Sequence, residues 1–375
     1  MSEANKIRNA SGDGGGRAHA VTREGLSPLA QPGREAVPGS AAVADHAPNG
    51  HAPRTGGGKR EEPMVPRAEF ESYYGRPILN KPTWRAPNIA GYLFLGGLAG
   101  AGGTIAAAAQ AGGRPGLARV MKTGSAAATG LSLAVLIHDL GRPARFINML
   151  RMFKPTSPMS VGSWILVGFA PLTAAAAASE LTGVLRPVGA AAAYGAGALG
   201  PGLATYTAAL VSDTAVPAWH EGHREMPFVF ASSATAAACG LGLLAAAADE
   251  SEPVRRLGAI AGMAEVGWSK LMQERMGLVA ECYREGRAGR LMKAAEVLTT
   301  AGVVGAALGR RSALMRRVSG AALIAGSALT RFGVFEAGVA SAEDPKYTVV
   351  PQRERLARAS ATERTTPPGS GNAVR

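Results

Sequence analysis

Glu265, Lys270, Glu274 and Arg275 fall together in Met263-Ala-Glu-Val-Gly-Trp-Ser-Lys-Leu-Met-Gln-Glu-Arg-Met276, within a run otherwise apolar enough to lie in a membrane. A charge at the centre of such a segment costs about 2.5–3.5 kcal/mol on insertion scales, so each one is a candidate for chemical work. The chemistry would be a proton path, or an ion pair beside a redox ligand. Lys270 and Glu274 are four residues apart and share a helical face, which equally suits a structural salt bridge between helices. The residue types leave both readings open. Glu180 and Glu296 sit nearer segment ends, where a long side chain reaches water at little cost, and read as structural.

A second polar stretch runs from His138-Asp-Leu-Gly-Arg-Pro-Ala-Arg145 through Arg151 and Lys154 to Trp164. Apolar segments flank it, so its charges gather on one membrane surface as a hub. Asp139 ends a helix whose dipole opposes its charge, and it therefore calls for a cation such as Arg142 or Arg145 beside it. His138, an imidazole that can both take up and give up a proton, forms a candidate proton relay with Asp139. Haem fails on histidine placement, since axial ligands belong near mid-bilayer on facing helices. His19, His46 and His51 are in the N-terminal tail, His138 ends a span, and His220 and His223 lie in a hairpin. His220 and His223 have zinc-like spacing but lack evident further ligands. No haem and no metal are expected.

The elements that position these residues are apolar blocks separated by short charged hairpins. The chain has 375 residues with 50 glycines and a net charge of +13, and two polar tails dilute its mean hydropathy to +0.07. Its arginines punctuate helix ends instead of forming a stripe with stacking aromatics, which argues against nucleic acid. Two cysteines, Cys239 and Cys282, are too few to hold an iron–sulfur cluster. Gly96-Gly-Leu-Ala-Gly-Ala-Gly-Gly103 lies inside an apolar span, not between a strand and a helix, so it is no dinucleotide loop. Its glycines fit close helix packing.

Candidate spans fall near 88–110, 117–138, 159–182, 188–211, 227–248, 256–280, 291–309 and 312–334. At about 1.5 Å per residue each suffices for a hydrocarbon core of about 30 Å, and in lipid only helices can satisfy their own backbones. Residues 1–66 read as a disordered tail without a cleaved signal peptide, 67–87 as an interfacial segment rich in aromatics and cations, and 341–375 as a second disordered tail. The membrane domain is 88–335. A slight excess of Lys and Arg on one side puts the termini and the hub in the cytoplasm of a multi-pass cell-membrane protein.

Four stretches together resemble the NrfD-like membrane subunits of polysulfide-reductase type. They are Tyr74-Gly-Arg-Pro77, Tyr92-Leu-Phe-Leu-Gly-Gly-Leu-Ala-Gly100, Asp139-Leu-Gly-Arg-Pro143 through Ser157-Pro-Met-Ser-Val-Gly-Ser-Trp164, and Tyr206-Thr-Ala-Ala-Leu-Val-Ser-Asp-Thr-Ala-Val-Pro-Ala-Trp219. The resemblance implies an all-α integral membrane fold of eight transmembrane helices in two four-helix bundles. It implies a quinone substrate (menaquinone or ubiquinone), a ferredoxin-like iron–sulfur partner and a molybdopterin catalytic subunit. It assigns the quinone headgroup to Asn88, opening the first span, and Tyr206 in the fourth, expected at similar depth. The Ala-rich helices and the long N-terminal tail depart from the family pattern. Electron exchange between quinone and the partner is the leading expectation, a purely anchoring role the second and a transporter the third. A transporter would show paired helix interruptions in its two halves, and the sequence shows no such pair.

Overall fold

The computed structural model describes residues 78–79, 82, 86–140, 144–309 and 312–365. The N-terminal tail 1–66, most of the segment 67–87 and Arg142 lie outside the described residues. The long helices are α1 Ala86–Ala111, α2 Pro115–Asp139, α4 Pro158–Thr182, α5 Arg186–Ser212, α7 Met226–Ala245, α8 Glu252–Arg275, α10 Gly286–Leu308, α11 Ala313–Glu343 and α12 Lys346–Thr365. Short helices α3 Ala144–Met149, α6 Pro217–His220 and α9 Glu281–Arg284 lie in connections. Prolines open α2, α4, α5, α6, α7 and α8 in the first turn, where no backbone N–H is required. Gly183 ends α4 in the left-handed conformation, φ 73°, which glycine adopts without steric cost.

Six of these helices, α1, α2, α4, α7, α10 and α11, are long and apolar enough to cross a membrane. Two of the eight expected ranges form helices that fall short by composition. Gly, Pro, Thr and Tyr dilute α5, while Glu265, Lys270, Glu274 and the charges at both ends dilute α8. Both nevertheless run antiparallel along a membrane-type neighbour. On α5, Ala190, Gly197 and Leu203 meet Gln110, Thr104 and Gly100 of α1 in turn. On α8, Val254, Gly258 and Arg275 meet Gly242, Cys239 and Glu225 at α7 and its N-terminus.

Helices α1, α2, α4 and α5 pack around one another, and so do α7, α8, α10 and α11. Helix α1 joins the two sets through contacts with α7 and α11. Glycines set the closest approaches, at Gly100 with Gly200 between α1 and α5 and at Gly240 with Gly320 between α7 and α11. There the backbones touch, which multiplies dispersion contacts where apolar surroundings offer no hydrophobic gain. Trp219, 1 % exposed, lies across Gly338 and donates from its indole to the Val334 carbonyl at 2.8 Å. On the face away from the hub, Glu250 accepts from the backbone N–H groups of Gly116 and Leu117 at 3.1 and 2.6 Å. The carboxylate thus satisfies donors orphaned at the start of α2.

The C-terminal region differs from the disordered tail expected after 341, because α11 continues to Glu343 and α12 occupies Lys346–Thr365. A polar latch accounts for the order. Lys346 Nζ reaches Glu281 Oε2 at 2.6 Å, and Tyr347 donates to the same oxygen at 3.4 Å. The ammonium of Lys346 holds the Glu281 carboxyl below its usual range, while Glu281 raises the Lys346 ammonium above its own.

Gly200→Leu is expected to destabilise the protein by about 1–3 kcal/mol through overpacking against Thr104 and the Gly100 backbone. Gly91→Ala, with nothing near the added carbon, should leave the melting temperature unchanged or raised. Thermal unfolding in detergent followed by size-exclusion chromatography reads both. The latch stabilises α12 at pH above the unfolded carboxylate value of 4.5 and is lost as pH falls through the lowered value of Glu281. Limited trypsin cleavage at Arg353, Arg355 and Arg358 should therefore accelerate in Lys346→Met at neutral pH, while in the unmodified protein pepsin, which works in acid, should cut α12 faster as the pH falls through that value.

Candidate functional site

At the hub, the first turn of α1 meets the last residue of α2. Asn88 Nδ2 donates to Asp139 Oδ1 at 2.9 Å, tying two residues assigned to different roles into one polar unit. The cation expected beside Asp139 is not Arg145, whose Nη1 donates to the Leu140 carbonyl at 3.0 Å. The reason is local: the C-terminal carbonyls of α2 lack helical partners and attract the guanidinium. Arg142 lies outside the described residues. His138 is exposed on the turn beside Asp139.

The hairpin after α3 is built by its own side chains. Ser160 Oγ accepts from the Lys154 N–H at 3.0 Å and donates to the Met152 carbonyl at 3.1 Å. Phe153 meets Trp164 edge to face, with centroids 6.1 Å apart. Ile147, Met152, Phe153, Met159 and Trp164 are all exposed. The hub therefore offers water an apolar and aromatic surface as well as its cations.

Tyr206 is buried between helices, and its ring fills the space left by Gly162 on α4. The expectation of equal depth with Asn88 is corrected by the α1–α5 register. With Gly100 against Leu203 and Thr104 against Gly197, Tyr206 stands level with Gly96 and Gly97. That is about 12 Å, or two turns, deeper than Asn88 at about 1.5 Å per residue. The glycine contacts dictate this offset, and they carry no mark in the sequence that distinguishes one register from its neighbours.

The charges on α8 divide between water and interior. Lys270 Nζ pairs with Glu296 Oε1 on α10 at 2.7 Å, so Lys270 bridges to α10, while the exposed Glu274 acts on it only through space. Arg275 pairs with Glu225 at 2.7 Å. Glu180, expected to be structural, binds the buried Lys122 at 2.9 Å. Glu265 is buried, and its Oε1 accepts from Thr330 at 2.7 Å. Sequence reasoning passed over its counterpart, Arg331, although an arginine inside an apolar run is the same signal. Arg331 is 1 % exposed, donates from Nη2 to the Phe230 carbonyl at 2.8 Å and lies 3.8 Å over the Phe230 ring. It also abuts Gly97, on the turn of α1 that is level with Tyr206.

His220 and His223 stack at 5.7 Å, and both direct Nδ1 to backbone carbonyls, of Ser212 and His220 respectively. Among the described residues no three His, Cys, Asp or Glu side chains converge as a metal site.

The geometry thus contains a polar mouth at Asn88 and Asp139, a buried tyrosine two turns below it, and a buried charge centre across α1. No curated protein matches the chain. The family described as polysulphide reductase, NrfD, matches residues 79–301, more than half of the chain and every helix that carries these groups except α11. The chain belongs to the polysulphide reductase NrfD family and is a multi-pass membrane protein.

Proposed function

We propose that this protein is the quinone-reactive membrane subunit of a redox complex, exchanging electrons between membrane quinone and a ferredoxin-like iron–sulfur subunit docked on the hub. A molybdopterin catalytic subunit would complete the complex. In this reading all eight expected helices cross the membrane as two four-helix bundles. The full-length antiparallel packing of α5 on α1 and α8 on α7 supports that, since each reaches the same depth as its apolar neighbour.

The observation that carries the quinone reading is the Asn88–Asp139 hydrogen bond at the start of α1, in a chain of this family. The carboxylate fixes the amide at the membrane surface and leaves its carbonyl oxygen and second N–H for a ligand. A quinone headgroup entering there would meet Asn88 first and the Tyr206 phenol at the inner end of a path between α1, α4 and α5. His138 and Asp139 stand at the outer end, where protons from the ring reach water. The exposed Phe153, Met152 and Trp164 beside the hub cations suit a protein partner, whose burial of aromatic side chains supplies affinity.

Tyr206→Phe is expected to slow quinone-linked electron transfer by the equivalent of about 1–3 kcal/mol, the cost of losing one buried hydroxyl interaction. Asn88→Ala should do the same, with assembly unaffected. Gly162→Val, which intrudes on the seat of the Tyr206 ring, should reproduce the tyrosine defect while keeping the phenol. Turnover is measured in membranes with added quinol, and assembly by co-purification of the iron–sulfur subunit. Unchanged turnover in an assembled complex would leave the anchoring role as the function. Arg145→Ala tests docking separately, and undiminished co-purification would move the partner off the hub.

A further inference from the structure

Glu265 is a carboxylate 2 % exposed, with Oε2 lacking any hydrogen-bond partner. Ser233 from α7 and Thr299 from α10 also face this carboxyl, and Thr299 Oγ1 has no partner at hydrogen-bond distance. Two nitrogens of Arg331, Nε and Nη1, are in the same condition. Buried polar atoms without partners are costly, and a group of them together calls for an occupant or a change of charge state. The glutamate and the guanidinium attract one another through space.

A cavity of about 120 Å³ leads to this group, lined by Glu265, Ser269, Lys270, Tyr283, Glu296 and Thr299. One water needs only about 10–15 Å³ of such space and two or more polar partners, so the cleft accommodates a short water chain. Lys270 and Glu296 support this independently. They are 58 % and 45 % exposed, yet stand roughly one to three turns inside the hub-side ends of α8 and α10. A charge pair at that depth is inexpensive only where water reaches it. Toward the opposite face the way is shut, because Gly262 is closed over by Val303 and Leu323 within an apolar cluster that includes Ala261.

We infer that Glu265 is a reversible proton-binding site in the helix interior, exchanging protons with water on the hub side through the cleft between α8 and α10. Uptake takes one proton from the water chain onto Oε2, forming an O–H that donates to the idle Thr299 Oγ1. Release returns that proton to the chain and leaves a carboxylate balanced by Arg331. Lys270 on α8, Glu296 and Lys293 on α10 and Arg284 on α9 are the other charged groups lining the route. This site lies on helices that the proposed quinone path does not use, and it stands whether or not that path exists. Arg331 gives it a point of contact with α1 at Gly97, level with Tyr206.

The test is infrared difference spectroscopy of the purified full-length protein between acid and alkaline buffers, in H2O and D2O. The expected result is a protonated-carboxyl C=O band that titrates, shifts on deuteration and disappears in Glu265→Gln. Thr299→Leu, which fills the cleft, should slow the deuterium shift at least tenfold without removing the band. A missing band, or one that persists in Glu265→Gln, overturns the site, and unaltered exchange in Thr299→Leu overturns the route. Should Glu265→Gln fail to fold, dicyclohexylcarbodiimide labelling of the unmodified protein decides. The O–H of a protonated carboxyl adds across a C=N bond of the reagent and rearranges to a stable N-acylurea, so the Glu265 peptide should gain the reagent's mass at acid pH and not at alkaline pH. A peptide unlabelled at every pH, or labelled equally at all, overturns the inference.

Discussion

Where Gly100 faces Gly200, the backbones of α1 and α5 touch, and a methyl group at either position would lie within the neighbouring helix. Gly240 and Gly320 repeat the arrangement between α7 and α11. In surroundings as apolar as the side chains themselves, close approach is what distinguishes one packing from another. Every depth in the molecule follows from these contacts. They place the Thr104 hydroxyl against the Gly197 carbonyl and Tyr206 level with Gly97. They also leave α1 thin enough at Gly97 for Arg331 to lie against it. A bulkier residue there would push the guanidinium away from its aromatic and carbonyl partners on α7.

The polar groups of the interior are arranged around this scaffold in two different ways. In the α1–α5 set they are mostly hydroxyls bonded to carbonyls of their own or adjacent helices, such as Ser125 to Ala99 and Thr129 to Ser125. Besides the Lys122–Glu180 pair of that set, charge lies across α1, where Glu265 and Arg331 are held by single bonds with several atoms left over. The first arrangement suits a site that orients a neutral ring, and the second suits one that changes charge. The separation follows from sequence, because α8 and α11 carry ionisable residues within the hydrocarbon depth and α1 and α5 carry none there.

Much of the architecture was legible because apolar period and length are written in each segment separately. All eight expected ranges contain helices, with ends that agree to about five residues except that α11 runs on to Glu343, past the expected 334. Pairings were harder. Asp139 invited a cation by charge, yet its partner is the amide of Asn88, a residue on another helix whose approach depends on packing. Lys270 and Glu274 were neighbours by helical arithmetic, but the lysine crosses to Glu296. The depth of Tyr206 was invisible for the same reason, since a register set by glycines is a property of two helices at once. The α12 helix escaped notice because its low apolar content resembles a solvated tail, and its anchors are a lysine and an arginine that meet glutamates on distant connections.

Glu250 carries a consequence for how the protein can move. Its carboxylate belongs to the connection between α7 and α8, yet it is bonded to the backbone of α2. Nearby, Arg316 of α11 closes the end of α7 by donating to the Leu243 and Ala246 carbonyls at 2.7 Å. Glu250 therefore ties one helix set to the other at the face away from the hub, and Arg316 ties α11 to α7 within its own set. A swing of one against the other about that end would have its widest travel at Asn88 and Asp139, and it would have to break the contact of Ala234 and Arg331 with Gly97. A ligand or partner wedged at that open end would act with a lever arm the full thickness of the bundle, while one bound near Glu250 would have none.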